Sequence, residues 1–332
     1  MLDLEESYRA LRTTAGVRPL AGQLHRISGN GHRSLLSWLV ARTTEFAHPN
    51  TAIWSLLLDA DGSPVGSALA LVFESEDLLV LDAPAGWLDE ALAAAPSEVL
   101  ERADVSAIDG FAIAVEGPSA WRIVDPLSRE PIADLLLNEI IDANLNGSPV
   151  KLARTGTTSE FGYVVAGEGS EEAAVQTLEA AGIELGGGQV DPQSLLRVQV
   201  ETNHPIVPEQ TRGLSVTEAC AAWLVSLTRT DAFYGDAVLN VSPTTRRLVA
   251  AFARGEDFPP SGTLVSSEGV VVGAVHLSAP RAGQDDGIGL VILEHPYSVS
   301  GLELNADGAI IETVSRPAVT PVSWDRRVGV LS

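Results

Sequence analysis

The sequence predicts an α+β protein that ends in a small all-β module. Amphipathic helical patterns alternate with short apolar strands as far as Asn240. Beyond it, short apolar runs at 247–252, 263–266, 270–277 and 288–293 are separated by Gly, Pro and Ser turns, which is typical of a small β-barrel or sandwich. Apolar residues make up 45% of the 332 residues, enough for a well-buried core. A chain of this length is expected to divide into two or three subdomains.

The first part of the chain mixes helices and strands. The turn at Asp61-Gly62 between two apolar runs indicates a β-hairpin, and Gly16 ends the first helical pattern. The expected elements, in order, are a helix at 3–14, a strand at 20–28, a helix at 32–45, strands at 54–58, 65–73 and 78–81, a helix at 87–102 interrupted near Pro96, and a strand at 111–115.

The middle of the chain is expected to be mainly helical. Residues 132–145 are rich in apolar side chains and precede Asn146-Gly147, a pair that often ends a helix. Ser215 and Glu218 form a capping-box pattern at the start of a further helix. The expected elements are helices at 132–145, 170–181, 191–198 and 215–228, with strands at 150–153 and 163–165.

Charge and composition exclude several classes of function. The formal net charge is −23, so the chain repels phosphate backbones and anionic lipid surfaces, and we expect neither nucleic-acid nor membrane binding. The single cysteine permits no intrachain disulfide. The first 20 residues carry three acids and no apolar core, unlike a signal peptide, and no apolar run reaches the roughly 18 residues of a membrane span. We therefore expect a cytoplasmic protein.

Common catalytic and metal-binding motifs do not occur. None of the six histidines is paired at i,i+3 or i,i+4, so the sequence predicts no helical metal site. The glycine run 186–188 lacks the Lys and Ser/Thr of a phosphate loop. No G-x-S-x-G elbow is present, and Cys220 lies among alanines in a predicted helix, where a small core residue is expected.

Several segments, in order, resemble the glycine cleavage T-protein and related folate-binding proteins. Residues 154–163, RTGTTSEFGY, resemble the family's hallmark T-G-Y-T-G-E-x-G-[FY]. Residues 195–199, LLRVQ, resemble x-L-R-[LI]-E, and residues 112–120, AIAVEGPSA, resemble A-x-x-G-P-x-A. Further weak matches are LRTTAG at 11–16, VTEA at 216–219 and the segment from Gly269 to Ala274. Order and spacing agree over roughly residues 8–295.

This resemblance implies a three-part ring in which two parts are α+β and the third is a small C-terminal β-barrel. On this basis, residues 1–50 and 125–240 form the first, folate-binding subdomain, residues 51–124 the second, and residues 241–332 the barrel domain. The implied cofactor is tetrahydrofolate or a one-carbon derivative, bound in the central hole with its pterin end deepest.

The resemblance also implies which residues hold the pterin. Gln199 stands where the family has a glutamate that accepts hydrogen bonds from the pterin, and an amide still offers an acceptor oxygen. Trp54 matches the family's aromatic in A-L-Y-[ST] and provides a flat surface for stacking. Asp82 matches the asparagine of V-V-N-A. Arg154 and Tyr163, at the two ends of the hallmark segment, complete the expected cofactor-binding set.

The catalytic position departs from the family's pattern. Gly66 stands where the T-protein has the first aspartate of G-G-x-x-D-D-L, so aminomethyl transfer from a lipoyl carrier is not expected. Another acid or base is needed, and the nearest titratable candidates in matched segments are Asp82, Glu160, Glu201 and His204. An imidazole ordinarily titrates near neutrality, which suits a proton-transfer role for His204.

Three functions are compatible with these residues. The first is a tetrahydrofolate-dependent one-carbon transferase, of the methyltransferase or demethylase type, that acts on a small-molecule substrate. The second is a non-catalytic folate-binding or regulatory protein, which the changes at Gly66 and Gln199 would favour. The third is an enzyme that keeps the fold and binds another ring-shaped ligand in place of folate. The sequence leaves the substrate and the oligomeric state open.

Overall fold

A computed structural model describes residues 1–240, 244–282 and 285–329. The helices are α1 (Leu4–Thr13), α2 (His32–Leu39), α3 (Trp87–Ala93), α4 (Ser97–Leu100), α5 (Trp121–Val124), α6 (Glu171–Glu184) and α7 (Pro192–Thr202). The strands before the barrel are β1 (Gly16–Pro19), β2 (Gln23–Ser28), β3 (Thr51–Leu58), β4 (Pro64–Val72), β5 (Asp77–Asp82), β6 (Asp104–Ala107), β7 (Gly110–Glu116), β8 (Ile140–Leu145), β9 (Ser148–Ala153), β10 (Gly162–Glu168) and β11 (Gly188–Gln189).

The strands of this part form two sheets. The first has the order β11-β1-β7-β10-β9-β8 and the second the order β3-β4-β5-β2-β6. The facing surfaces of the two sheets share one apolar cluster that includes Leu24, Leu69, Ala114 and Val164. The turn between β9 and β10, which holds the hallmark segment, therefore lies close to the strands of the second sheet.

The C-terminal strands close into a barrel. They are β12 (Arg246–Ala253), β13 (Leu264–Ser267), β14 (Val270–Ala279), β15 (Gly287–Glu294), β16 (Glu303–Ala306) and β17 (Ala309–Val314). Their order is β12-β15-β14-β13-β16-β17, and β12 pairs with β17 to close the barrel around its own apolar core. The predicted α+β fold with a C-terminal β-barrel is confirmed. Residues 241–243, where the barrel domain was expected to begin, lie outside the described residues.

The predicted helix at 132–145 is wrong. A single 3-10 turn covers Ile132–Asp134, and residues 140–145 form strand β8, which pairs antiparallel with β9. Asn146 and Gly147 have φ values of 52° and 89°, so the pair forms the two-residue turn of a hairpin and not the end of a helix. Apolar content alone did not distinguish a helix from a strand here, because a strand that is buried on alternate residues is also rich in apolar side chains.

The predicted helix at 215–228 is also wrong. The capping-box contacts form, since the Ser215 amide donates to Glu218 and the Glu218 amide donates to the Ser215 hydroxyl. However, Cys220 adopts a left-handed backbone conformation with φ 56°, which interrupts the turn. Only a short 3-10 helix at Ala222–Leu224 follows. A local capping pattern therefore formed without helix propagation.

Strand pairing differs from the expected subdomain boundaries at two places. Strand β2 (23–28), expected in the first subdomain, pairs with β5 and β6 of the second sheet. Strand β7 (110–116), expected in the second subdomain, pairs with β1 and β10 of the first sheet. The chain therefore crosses between the two sheets more often than a division at residues 50 and 124 implies. The division into functional subdomains stays a prediction.

Candidate functional site

A pocket of about 160 Å³ opens where the second sheet, α7 and the segment after α7 meet. Four of the residues proposed from the sequence line it together: Trp54 from β3, Asp82 from the end of β5, Gln199 from α7 and His204 just after α7. The pocket is also lined by Arg18, Leu20, Ala21, Ser67, Val80, Thr157, Leu195, Pro205, Ile206 and Val207. Elements distant in the sequence thus converge on one cavity.

The indole of Trp54 is held by one directional contact. Its Nε1 donates a hydrogen bond to Thr155 Oγ1 at 3.1 Å, and Thr155 belongs to the hallmark segment. The indole also meets the imidazole of His204 edge-on, with 5.4 Å between the ring centroids. These two contacts fix the plane of a flat apolar surface at the pocket wall.

Gln199 is placed by the geometry of α7. Asp191 caps the start of the helix by accepting from the amides of Gln193 and Ser194, and Pro192 occupies the first helical position. Gln199 is only 9% exposed. Its side-chain amide has no hydrogen-bond partner within the described part of the chain, although it lines the pocket. Its amide atoms are not among the fully enclosed polar atoms of the described residues, so the donor and the acceptor are open to the pocket.

His204 is neutral at physiological pH. Burial and the positive charge of Arg18 lower the pKa of its imidazole to about 3. Its ring lies between two indoles, 5.4 Å from Trp54 and 5.9 Å from Trp223 between centroids. The expectation that His204 titrates near neutrality is therefore wrong, because an apolar aromatic environment disfavours the imidazolium. The ring can accept a hydrogen bond but does not carry an exchangeable charge at pH 7.

Asp82 is the acid of this pocket whose charge state is perturbed. Burial, with a smaller contribution from the negative charge of Glu209, raises the pKa of its carboxyl. The residue pairs in register with Ser67, which lines the same pocket. A raised pKa means that the protonated form of this carboxyl persists to a higher pH than it does in water.

Gly66 leaves no room for an acidic side chain. A Cβ at this position would lie 2.3 Å from the backbone carbonyl oxygen of Asp82 on the adjacent strand. The obstacle is backbone within a paired sheet, so it does not move aside easily. The position that holds an aspartate in the resembled family is thus closed to one here without a shift of β4 against β5.

Arg18 is a pocket residue that sequence reasoning did not propose. Its Nη2 donates to Glu116 Oε2 at 3.1 Å and to Thr157 Oγ1 at 2.9 Å, while its buried Nε has no partner among the described residues. Glu116 is itself almost fully buried. A signal was present, because Arg18 interrupts an otherwise apolar segment, but its neighbours Glu116 and Thr157 are distant in the sequence.

Three other predicted residues lie away from this pocket lining. Glu160 accepts from Arg12 and from the backbone amides of Val322 and Ser323, so it fastens the C-terminal segment. Tyr163 is fully buried in the core of the first sheet, and burial raises its pKa to about 12. Arg154 donates to the carbonyl of Leu135. The structure therefore gives these three side chains contacts within the protein instead of a place at the pocket.

Across residues 1–240, 244–282 and 285–329, no group of three or more His, Cys, Asp or Glu side chains is placed to hold a metal ion. Within the same ranges, no helix combines the length and apolar character needed to span a bilayer.

The fold and the pocket together describe an α+β protein with a C-terminal barrel and a small cavity lined by Trp54, Asp82, Gln199 and His204. No family model matches the chain. It is 24% identical to an aminomethyltransferase of Halalkalibacterium halodurans, covering 96% of this chain and 89% of the relative. It is 26% identical to the aminomethyltransferase of Bacillus subtilis, covering 92% and 86%.

Among solved structures, the chain resembles the glycine cleavage system aminomethyltransferase T of Bartonella henselae. The TM-score is 0.79 at 16% identity, with 96% of this chain and 90% of that chain covered. This likeness shows the fold. The chain is also similar in sequence to aminomethyltransferases over most of its length, which agrees with this fold.

Proposed function

We propose that the chain is a tetrahydrofolate-dependent one-carbon transferase that acts on a small molecule. The similarity to aminomethyltransferases supports one-carbon chemistry in general. The observation that carries the proposal is the unpartnered amide of Gln199, which lines the same pocket as the indole of Trp54. Gln199 supplies a group that can hydrogen-bond to the edge of a ring, and Trp54 supplies a flat apolar face for stacking.

The pocket fits a single ring system. Its volume of about 160 Å³ is below the roughly 300–1,000 Å³ of pockets that enclose a whole drug-sized ligand. The residues therefore suit the pterin part of a folate, whose remainder would extend out of the pocket. When bound, tetrahydrofolate would supply the ring nitrogens that carry a one-carbon unit.

The chain's own residues would have distinct tasks. Trp54 covers one face of the ring, while Gln199 donates and accepts at its edge. Asp82 presents a carboxyl group at the pocket wall, and burial raises the pKa of that group above its ordinary value. Neutral His204 offers an acceptor nitrogen and excludes water beside Trp54. Alignment of donor and acceptor by such contacts can supply much of the rate enhancement in a group transfer.

Calorimetric titration with tetrahydrofolate tests the binding step. Gln199→Ala should weaken binding about tenfold or more, because it removes a group that a buried ligand edge would otherwise satisfy. Gln193→Ala, an exposed change on the same helix, is the matched control and should leave the affinity unchanged. Equal affinities for wild type and Gln199→Ala would contradict the assigned pocket. Failure of the wild type to bind would instead favour another ring-shaped ligand.

A non-catalytic folate-binding role is the second candidate, and the closed position at Gly66 favours it. Incubation with methyl- or methylene-tetrahydrofolate and a panel of amines, followed by mass spectrometry, separates the two. Appearance of a substrate changed in mass by a one-carbon unit, dependent on Asp82, supports the transferase. Tight binding with no such product across the panel supports the binding protein.

A further inference from the structure

A second pocket shares Trp54 with the first. It has a volume of about 420 Å³ and is built from the loop after α2, strand β3 and the segments around residues 137 and 155. Trp54 lines both this pocket and the first one. The hallmark turn also contributes to both pockets: Thr155 and Gly156 line the second pocket, and Thr157 lines the first.

Three aromatic rings in mutual contact link the linings of the two pockets. The imidazole of His204 lines the first pocket and contacts the indoles of Trp54 and Trp223 at 5.4 Å and 5.9 Å between centroids. Trp223 lines the second pocket. The two pockets are therefore neighbours that share an aromatic wall.

Arg42 gives the second pocket a positive charge. Its guanidinium has no ion pair or hydrogen bond in the described residues. Its backbone is fixed, because its amide donates to Ser55 Oγ at 3.1 Å and its carbonyl accepts from Arg229 at 3.0 Å. In a chain with a net charge of −23, an unpaired cation in a cavity is a local attraction for an anion.

The mouth of the second pocket is apolar. Phe46, Leu137 and Trp223 line it and are 79%, 73% and 46% exposed. Large side chains of this kind around one opening are typical of ligand sites, where they contact the body of a ligand. The pocket therefore combines one charged anchor with aromatic and aliphatic walls.

We infer that the second pocket binds the small-molecule substrate, and that this substrate is a carboxylic acid with a flat apolar body. The carboxylate pairs with Arg42, and the body packs between Phe46, Leu137 and Trp223. A guanidinium recognises a carboxylate by two parallel hydrogen bonds, which explains why an arginine serves here. The inference rests on the proposed function, because it places the substrate in the pocket that shares Trp54 with the proposed folate site.

The acidic tail of a folate also carries carboxylates. It is therefore the alternative source of an anion that pairs with Arg42. Calorimetry of wild type, Arg42→Gln and Arg9→Gln separates the two sources. Arg9 is exposed on α1 and its loss changes the net charge by the same amount, so it is the matched control. The probes are benzoate, phenylacetate and indole-3-acetate, with benzamide as a neutral analogue, and tetrahydrofolate beside a tail-less tetrahydropterin.

We expect at least one of the three acids to bind wild type and to bind Arg42→Gln about tenfold more weakly. Benzamide should bind poorly, and tetrahydrofolate should bind wild type and Arg42→Gln alike without competing with the acids. No acid binding to wild type, or equal binding to both variants, overturns the inference. Weaker tetrahydrofolate binding to Arg42→Gln with unchanged tetrahydropterin binding assigns the pocket to the folate tail and also overturns it.

Failure of the proposed function can be distinguished from failure of the anion site. If neither tetrahydrofolate nor tetrahydropterin binds while an acid binds in a manner that depends on Arg42, the anion site stands and the folate proposal falls.

Discussion

The indole nitrogen of Trp54 donates a hydrogen bond to the hydroxyl of Thr155, and this contact joins the second sheet to the turn between β9 and β10. The two residues are 101 positions apart in the sequence. Because Trp54 lines both pockets, this single bond orients the wall between them. It therefore links the packing of the two sheets to the geometry of the candidate site.

Thr155→Val should weaken both stability and ligand binding. Valine keeps the shape of threonine but leaves the indole N–H without its acceptor, which typically costs about 1–3 kcal/mol. Urea denaturation would measure the loss. A double-mutant cycle with Trp54→Phe isolates the bond, and we expect an interaction energy of about 1 kcal/mol. Additive effects of the two changes would show that the hydrogen bond does not hold the indole.

Glu160→Gln should lower stability and spare folate binding. The carboxylate accepts from Arg12, from the amides of Val322 and Ser323, and from the Ser323 hydroxyl, all in a buried environment. Loss of its charge should reduce the free energy of unfolding by about 2–3 kcal/mol, the range of hydrogen bonds to a charged group. Glu184→Gln, at an exposed end of α6, is the control. A large loss of tetrahydrofolate affinity with unchanged stability would instead show that Glu160 takes part in ligand binding.

Part of the site could be predicted from the sequence. Trp54, Asp82 and Gln199 stand at fixed positions within short matched segments, so their approach to one pocket follows once the fold is known. Arg18 and Arg42 could not be found in this way. Each acquires its environment from residues far along the chain, such as Glu116 for Arg18 and Trp223 for the pocket of Arg42.

The fold was predicted best where a sequence pattern is compatible with only one type of secondary structure. Short apolar runs separated by turns correctly predicted the barrel. In contrast, Asn146-Gly147 is compatible with both a helix end and a hairpin turn. The partner strand β9 decided between them, since it satisfies the backbone of β8. Similarly, the Ser215–Glu218 pattern formed its contacts, but Cys220 then left the helical region. For residues 140–145, pairing with strand β9 determined the secondary structure that the local sequence did not specify.

Gly66→Ala should destabilise the second sheet. The new Cβ would meet the carbonyl oxygen of Asp82 at 2.3 Å, and strain of this kind costs about 1–3 kcal/mol or more. Gly182→Ala is an informative control, because its nearest neighbour would be 3.5 Å away and a helical alanine is favoured over glycine by about 1 kcal/mol. Urea denaturation should thus show opposite signs. A stable Gly66→Ala protein would mean that β4 and β5 separate readily.

His204 should make stability fall in mild acid. Its folded pKa of about 3 lies below the ordinary value of 6.5, so the unfolded chain takes up a proton that the folded chain refuses. The stabilisation is present above pH 6.5 and is lost as the pH falls from there toward 3. Between pH 7 and pH 5 the loss should be roughly 1–2 kcal/mol.

Urea denaturation at both pH values, on wild type and on His204→Gln, measures this loss. The variant should lose less stability than wild type, whereas His48→Gln at an exposed position should behave like wild type. Identical pH dependence in wild type and His204→Gln would show that the imidazole is solvated in the folded protein.

Asp82 should produce the opposite dependence. Burial and Glu209 raise the folded pKa of its carboxyl above the unfolded value, so its protonated form is favoured by folding and stability is lost as pH rises through the folded pKa. Asp82→Asn removes the ionisation and should flatten this part of the pH profile. Glu209→Gln should move the profile to lower pH, since it removes one of the two causes. If the pocket uses the Asp82 proton, one-carbon transfer should decline over the same pH range in wild type. A rate that instead rises through that range would show that the carboxylate, and not the acid, is the working form.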